Sequence, residues 1–211
     1  MFLSAWRKAS ADAGLSRRTV PILVLGLWLL VPGILAIRGL LDRWTMPAPA
    51  LVLTAILTVA TVVLAFSPVG GRLASSVSLA GLVGFQFFRV PVEWVLHRLF
   101  VEGVVPVQMT YAGRNFDILS GISAAMVAML LVAGRGGRGL VLAWNLLGLG
   151  LLLHIIMIAA LSAPTPLRHF MNEPANRLPG LFPYVWLPTF LVQAALFGHL
   201  VVFRALGRRT T

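Results

Sequence analysis

In the run FFRVPVEWVLHRLF, residues 87–100, an arginine, a carboxylate and an imidazole recur at intervals of four: Arg89, Glu93 and His97. Gln86 stands three residues earlier. At helical spacing all four share a face. Their chemistry is that of a site: a guanidinium for an anionic group, a carboxyl for a proton, an imidazole for a proton or a metal. The surroundings are apolar enough to lie in a membrane, where a charge at the bilayer centre costs at least ~2.5–3.5 kcal/mol and faces the bundle interior or a wet cavity. Pro91 falls inside the stripe. It has no N–H, so the Phe87 carbonyl loses its helical partner and the helix kinks. The competing reading is structural: an Arg89–Glu93 ion pair locking the helix to its neighbours, in the poorer order for such a pair, with His97 reaching outward.

Depth selects what meets this stripe. Glu93 lies about nine residues, and His154 about eight, from the outer ends of their spans, so both sit ~12–14 Å below the outer surface. His97 is a turn higher. The segment VPVQMTYAGRNFDILSG, residues 105–121, is too polar to cross and lies on the same side. Asn115 or Asp117 can cap the next helix, or the segment can re-enter as a lid over a pocket, which requires burial in protein or water. Arg89, Glu93, His97, Asn115, Asp117 and His154 are therefore the candidate ligand- or proton-binding residues, in a cavity roofed by residues 105–117. Pro188 is expected to kink the last span near the same level. His199 is placed near the inner end of that span, as a packing residue. Asn145 and Gln193 read as interhelical hydrogen-bonding glue. Glu93, His97 and His154 resemble a two-histidine, one-carboxylate metal set to which Asp117 could add a ligand. His97 and His154 are the minimum pair for haem b. The chain has no HExxH, and Arg89 beside the site would repel a cation, so no cofactor is favoured.

These residues must be positioned by membrane helices. Of 211 residues, 59% are hydrophobic and 11% charged, against about 25% charged in soluble domains. The apolar residues come in blocks long enough to cross a bilayer. The expected fold is an all-α polytopic transmembrane bundle of about six spans, near 20–41, 48–66, 73–102, 118–133, 139–162 and 183–206. A basic amphipathic segment, 1–19, precedes this single membrane domain and a basic tail, 207–211, follows it. The net charge of +11 reads as membrane topology, not nucleic-acid binding, because the cations sit between apolar blocks. With the N-terminus inside, the inner segments hold Arg7, Lys8, Arg17, Arg18, Arg72, Arg135, Arg138, Arg204, Arg208 and Arg209. The outer ones hold Arg38, Arg43, Arg98, Arg114, Arg168 and Arg177. Ten against six places both termini in the cytoplasm. The chain has no cysteine, which removes disulfides and thiolate chemistry.

The runs RVPVEWVLHRLF and MTYAGRNFDILSGISA, with the proline-rich LSAPTPL and FPYVWLP, resemble signatures of an uncharacterised group of bacterial multi-spanning membrane proteins. The resemblance covers roughly residues 80–200. It implies a bacterial inner-membrane protein and carries no activity. On the residues themselves, the favoured function is binding or transport of a small polar or anionic ligand, a lipid headgroup or a proton, with an enzyme less favoured. The alternatives are a metal- or haem-dependent membrane enzyme and a structural subunit of a membrane complex. The lipid bilayer is the expected partner, with a homo-oligomer or a membrane-complex subunit as further candidates and no nucleic acid.

Overall fold

The computed structural model describes residues 22–208; the segment read as 1–19 and the tail residues 209–211 lie outside the described residues. The described chain is helical, with no strand. Helix α1 spans Ile22–Ile37, α2 Pro49–Phe66 and α3 Pro68–Ser76. Then α4, Leu79–Gly84, passes through a 3-10 turn, Phe85–Phe88, into α5, Arg89–Val101. After a segment that holds one 3-10 turn, Val107–Met109, come α6, Asp117–Val132, and α7, Arg138–Leu161. A π-helical turn, Leu187–Leu191, leads into α8, Val192–Arg208.

Four stretches are long and apolar enough to cross a membrane: Pro49–Phe66, Leu79–Val101, Arg138–Leu161 and Leu187–Arg208. The six expected spans all have helices, but α6 and the described part of α1 fall short. Sixteen residues of α6 reach about 24 Å, less than a hydrocarbon core of ~30 Å. The cause is where α6 begins. Between α5 and α6 the chain turns into the bundle, burying Val105, Gln108, Met109, Thr110 and Asn115. Gly113 allows this turn to close, since a side chain there would stand 2.2 Å from the Val107 carbonyl oxygen.

SPVGGR, residues 67–72, expected to separate spans two and three, instead caps and begins helix α3. Pro68 begins it and the Ser67 hydroxyl accepts from the Val69 N–H, the arrangement that satisfies a helix N-terminus. The following span therefore starts at Leu79, not near 73. It is capped by Ser78, whose side chain accepts from the Gly81 N–H.

Helix α8 is the central post. Half of its most apolar window is buried, against 17% for α2, and α8 packs on α2, α3, α4 and α7. At one end, Val83, Ala124, Val141, Trp144 and Val202 form a core. At the other, Leu96, Met109, Leu152, Ile155 and Leu196 form a second. Between the two cores lies the polar layer described below. Tryptophans lace α1 to the start of α8: Trp28 Nε1 donates to the Thr189 carbonyl at 2.7 Å, and Trp186 Nε1 to the Leu29 carbonyl at 2.9 Å. At the opposite end, Arg204 donates to the carbonyls of Ala65 and, at 2.8 Å, Ser67. Arg208 donates to the Gly71 carbonyl at 2.6 Å. The expected basic anchor thus also caps the carbonyls left open where α2 ends.

The proline-rich segment 162–186 is not the extended strap its prolines suggest. It folds back on the bundle: the Asn176 N–H donates to the Ser162 carbonyl at 2.8 Å, and the His169 N–H to the Leu161 carbonyl at 2.8 Å. Gln108 joins it to the inward-turning segment, donating to Ser162 Oγ at 2.9 Å and accepting from Asn172 Nδ2 at 2.6 Å.

Candidate functional site

Arg89 opens α5 and is 3% exposed. Its partner is Asp117, the first residue of α6. Arg89 Nε donates to Asp117 Oδ2 at 2.7 Å and Nη2 to Asp117 Oδ1. The pair is bidentate, the strongest form of this contact. Nη1 donates to Ser120 Oγ at 2.8 Å and His199 Nε2 at 3.0 Å, with the Gly148 carbonyl at 3.4 Å. The expected Arg89–Glu93 ion pair does not form. Three neighbouring helices, α6, α7 and α8, satisfy the guanidinium instead. Removing two charges from water costs several kcal/mol each, and such geometry is what compensates.

His199 is fully buried and held from both sides. Asn145 Nδ2 donates to the His199 carbonyl at 3.1 Å, which turns Asn145 Oδ1 toward His199 Nδ1 at 2.8 Å. An acceptor at Nδ1 and the Arg89 donor at Nε2 together assign the neutral Nδ1–H tautomer. Sequence reasoning placed His199 elsewhere because it counted depth from the proline loop at 183. Counted from Leu187, where the helical run starts, His199 lies about twelve residues in, and Arg89 about twelve from the end of α5 at Val101, so both lie ~18 Å along the axis from those ends.

Glu93, one turn along from Arg89, is 2% exposed. Asn115 Nδ2 donates to Glu93 Oε2 at 2.6 Å and to the Met109 carbonyl at 3.0 Å. Asn115 Oδ1 accepts from the Asp117 N–H at 3.0 Å. Asn115 thus caps α6 with one end of its amide and grips Glu93 with the other. Glu93 Oε1 accepts no hydrogen bond from the described residues.

Glu93 and Arg89 lie on the wall of a cavity of about 560 Å³. The rest of the wall is mainly apolar. Val92 and Leu96 come from α5, Ala55 and Val59 from α2, Ile155 and Ala159 from α7, Leu191 and Ala195 from the α8 run. Leu178 and Pro179 of the folded-back segment also close it, with Met109. The expected roof of residues 105–117 is therefore only part of the cover. Pro188, at the expected distortion, lies within the π-helical turn and also lines the cavity. Pro91 follows the 3-10 turn.

Two candidates stand apart. His97 stacks on Tyr111, ring centroids 4.4 Å apart, with Nδ1 buried and unpartnered. Eight residues along a helix turn ~80° beyond two full turns, so His97 drifts off the face that Arg89 and Glu93 share. His154 Nε2 meets the Arg114 carbonyl at 3.1 Å. It does not line the cavity, whose α7 face is Leu152, Ile155, Ile156 and Ala159. Among the described residues no three His, Asp or Glu side chains are grouped to hold a metal. The set Glu93, His97 and His154 is thus not grouped as a metal site. Asn145 and Gln193 do bridge helices, Gln193 Nε2 donating to Thr58 Oγ1 at 3.1 Å and to the Pro188 carbonyl at 2.9 Å.

A family model described as Domain of unknown function (DUF8737) matches residues 46–207. No curated protein and no solved structure matches the chain.

Proposed function

The chain belongs to this family of domains of unknown function, and from that premise we propose that it is a bacterial inner-membrane protein of six spans, both termini cytoplasmic, that binds or transports an amphipathic molecule in the outer half of the bilayer. The apolar part of that molecule lies between α2, α7 and α8, and its polar end meets Glu93. One observation carries the reading: a carboxyl with a free oxygen on the wall of a mainly apolar cavity, where the other charges, Arg89 and Asp117, pair with each other. Ligand sites have this form, an apolar lining with few polar groups that fix orientation. Arg89 is assigned a different role from the one its sequence position suggests. Asp117 already neutralises it, so it holds the floor of the cavity in place and is not the ligand's counter-ion. The four apolar spans support the membrane location, and the cation count supports the orientation.

Native mass spectrometry of the protein released from lipid nanodiscs tests the reading. One amphiphile per chain is expected to remain bound. Ala159→Phe and Ala195→Phe, which each fill part of the cavity, are expected to remove it. Equal retention by wild type and both variants sinks the proposal.

A further inference from the structure

Resting on the reading of the cavity as an amphiphile site, we propose that the end group it selects is a cation of amine type, held at Glu93 Oε1, and that a proton takes the same atom when the cavity is empty. The argument is a charge count around Glu93. On α5 the nearest charge is Arg89, and on α6 it is Asp117; bonded bidentately, these two cancel. His199 of α8 reaches the layer only through Arg89 and is neutral. Helix α2 offers Thr54 and Thr58, whose hydroxyls donate to the carbonyls of Ala50 and Thr54 at 2.8 and 2.9 Å. Helix α7 brings no titratable side chain to the wall. The covering segment brings Asn176, whose Nδ2 is spent on the Ala159 carbonyl at 3.0 Å.

What remains is one carboxylate with no counter-charge. An isolated charge against apolar walls is too costly to persist, and two species can cancel it. Asn115 fixes where they bind. Its Nδ2 points at Oε2, so Oε2 must accept, and a proton on Glu93, a residue that lines the cavity, sits on Oε1. A cation entering the cavity meets the same oxygen. An anionic head group would add a second negative charge beside Glu93 while the Nε and Nη1 of Arg89 are occupied. A hydroxyl can bond Oε1 but leaves the charge uncancelled. The balanced exchange is one ammonium bound for one proton released, with Glu93 passing from carboxylic acid to carboxylate.

Equilibrium binding of dodecylamine, dodecanol and dodecanoate to the purified protein in phosphatidylcholine nanodiscs, with empty nanodiscs as reference, tests this. The amine is expected to bind at least about tenfold more tightly than the other two. Its affinity rises with pH by up to about tenfold per unit where Glu93 gives up its proton, because the proton competes for one site. Glu93→Gln abolishes the preference and flattens the pH profile while dodecanol still binds. Equal binding of the three probes, tightest binding of the carboxylate, or a flat wild-type profile overturns the inference, none of which depends on the variant folding. The two readings fail separately. If dodecanol and dodecylamine bind alike and Ala159→Phe blocks both, the cavity stands and the amine does not. If Ala159→Phe blocks neither, the cavity reading falls as well.

Discussion

A guanidinium held by five hydrogen bonds to four groups is a rigid object, and the behaviour of its variants follows from which partner is left behind. Asp117→Asn keeps the shape of the side chain but strands the Arg89 charge, and is expected to cost about 3–5 kcal/mol. Arg89→Met with Asp117→Leu removes both charges and is expected to recover most of that loss. Denaturant or thermal unfolding in detergent measures the cycle; a single variant no worse than the double would show that the pair does not organise the layer. His199→Ala leaves Arg89 Nη1 short of an acceptor and Asn145 Oδ1 without a donor, and is expected to cost about 1–3 kcal/mol on the same assay. At this scale the sequence made the polar residues legible, because ionisable groups in an apolar run stand out. Their pairing was not legible. Arg89 and Glu93 are neighbours along the helix, but the partner was decided by α6, whose entry point depends on how residues 105–116 turn inward. No local spacing encodes that.

Close approach of helices has its own test. At Gly148 an added Cβ would lie 2.7 Å from both His199 Cε1 and Ser120 Oγ, while at Gly150, two residues on, nothing lies within 4 Å. Gly148→Ala is therefore expected to destabilise by about 1–3 kcal/mol through overpacking. Gly150→Ala is expected to be neutral or to stabilise by up to about 1 kcal/mol, by removing backbone freedom from a helix interior. Equal melting temperatures for the two variants would contradict the packing of α7 on the polar layer. Helices as such were readable from apolar blocks and proline breaks. Position along them was readable only where the helix start was, and His199 was misplaced because the helical run begins at Leu187. Rotation about the axis was not: α7 carries apolar residues on nearly every face, so nothing in its pattern says that Ile155, and not His154, turns to the cavity.

For the molecule as a whole the prediction concerns orientation. A reporter fused after Thr211 is expected to be active only in the cytoplasm, and one inserted near Glu173 only outside it. A periplasmic signal at the C-terminus would invert every depth assigned above, including the outer position of the cavity. Four of the six apolar blocks expected are helices long enough to cross a membrane; the short α6 was not legible, because the chain before it is buried in protein. The central place of α8 also has a consequence for biosynthesis. Arg89 is synthesised 110 residues before His199. At ~5–20 residues per second, it waits roughly 5–20 s for that partner. Asp117, 28 residues after Arg89, is the first of its partners to be made, so the ion pair is a clasp that can close before α8 is synthesised. A ribosome stalled before Leu187 would leave this clasp with its imidazole side open, an exposed polar surface within the membrane of the kind that quality-control proteases can recognise.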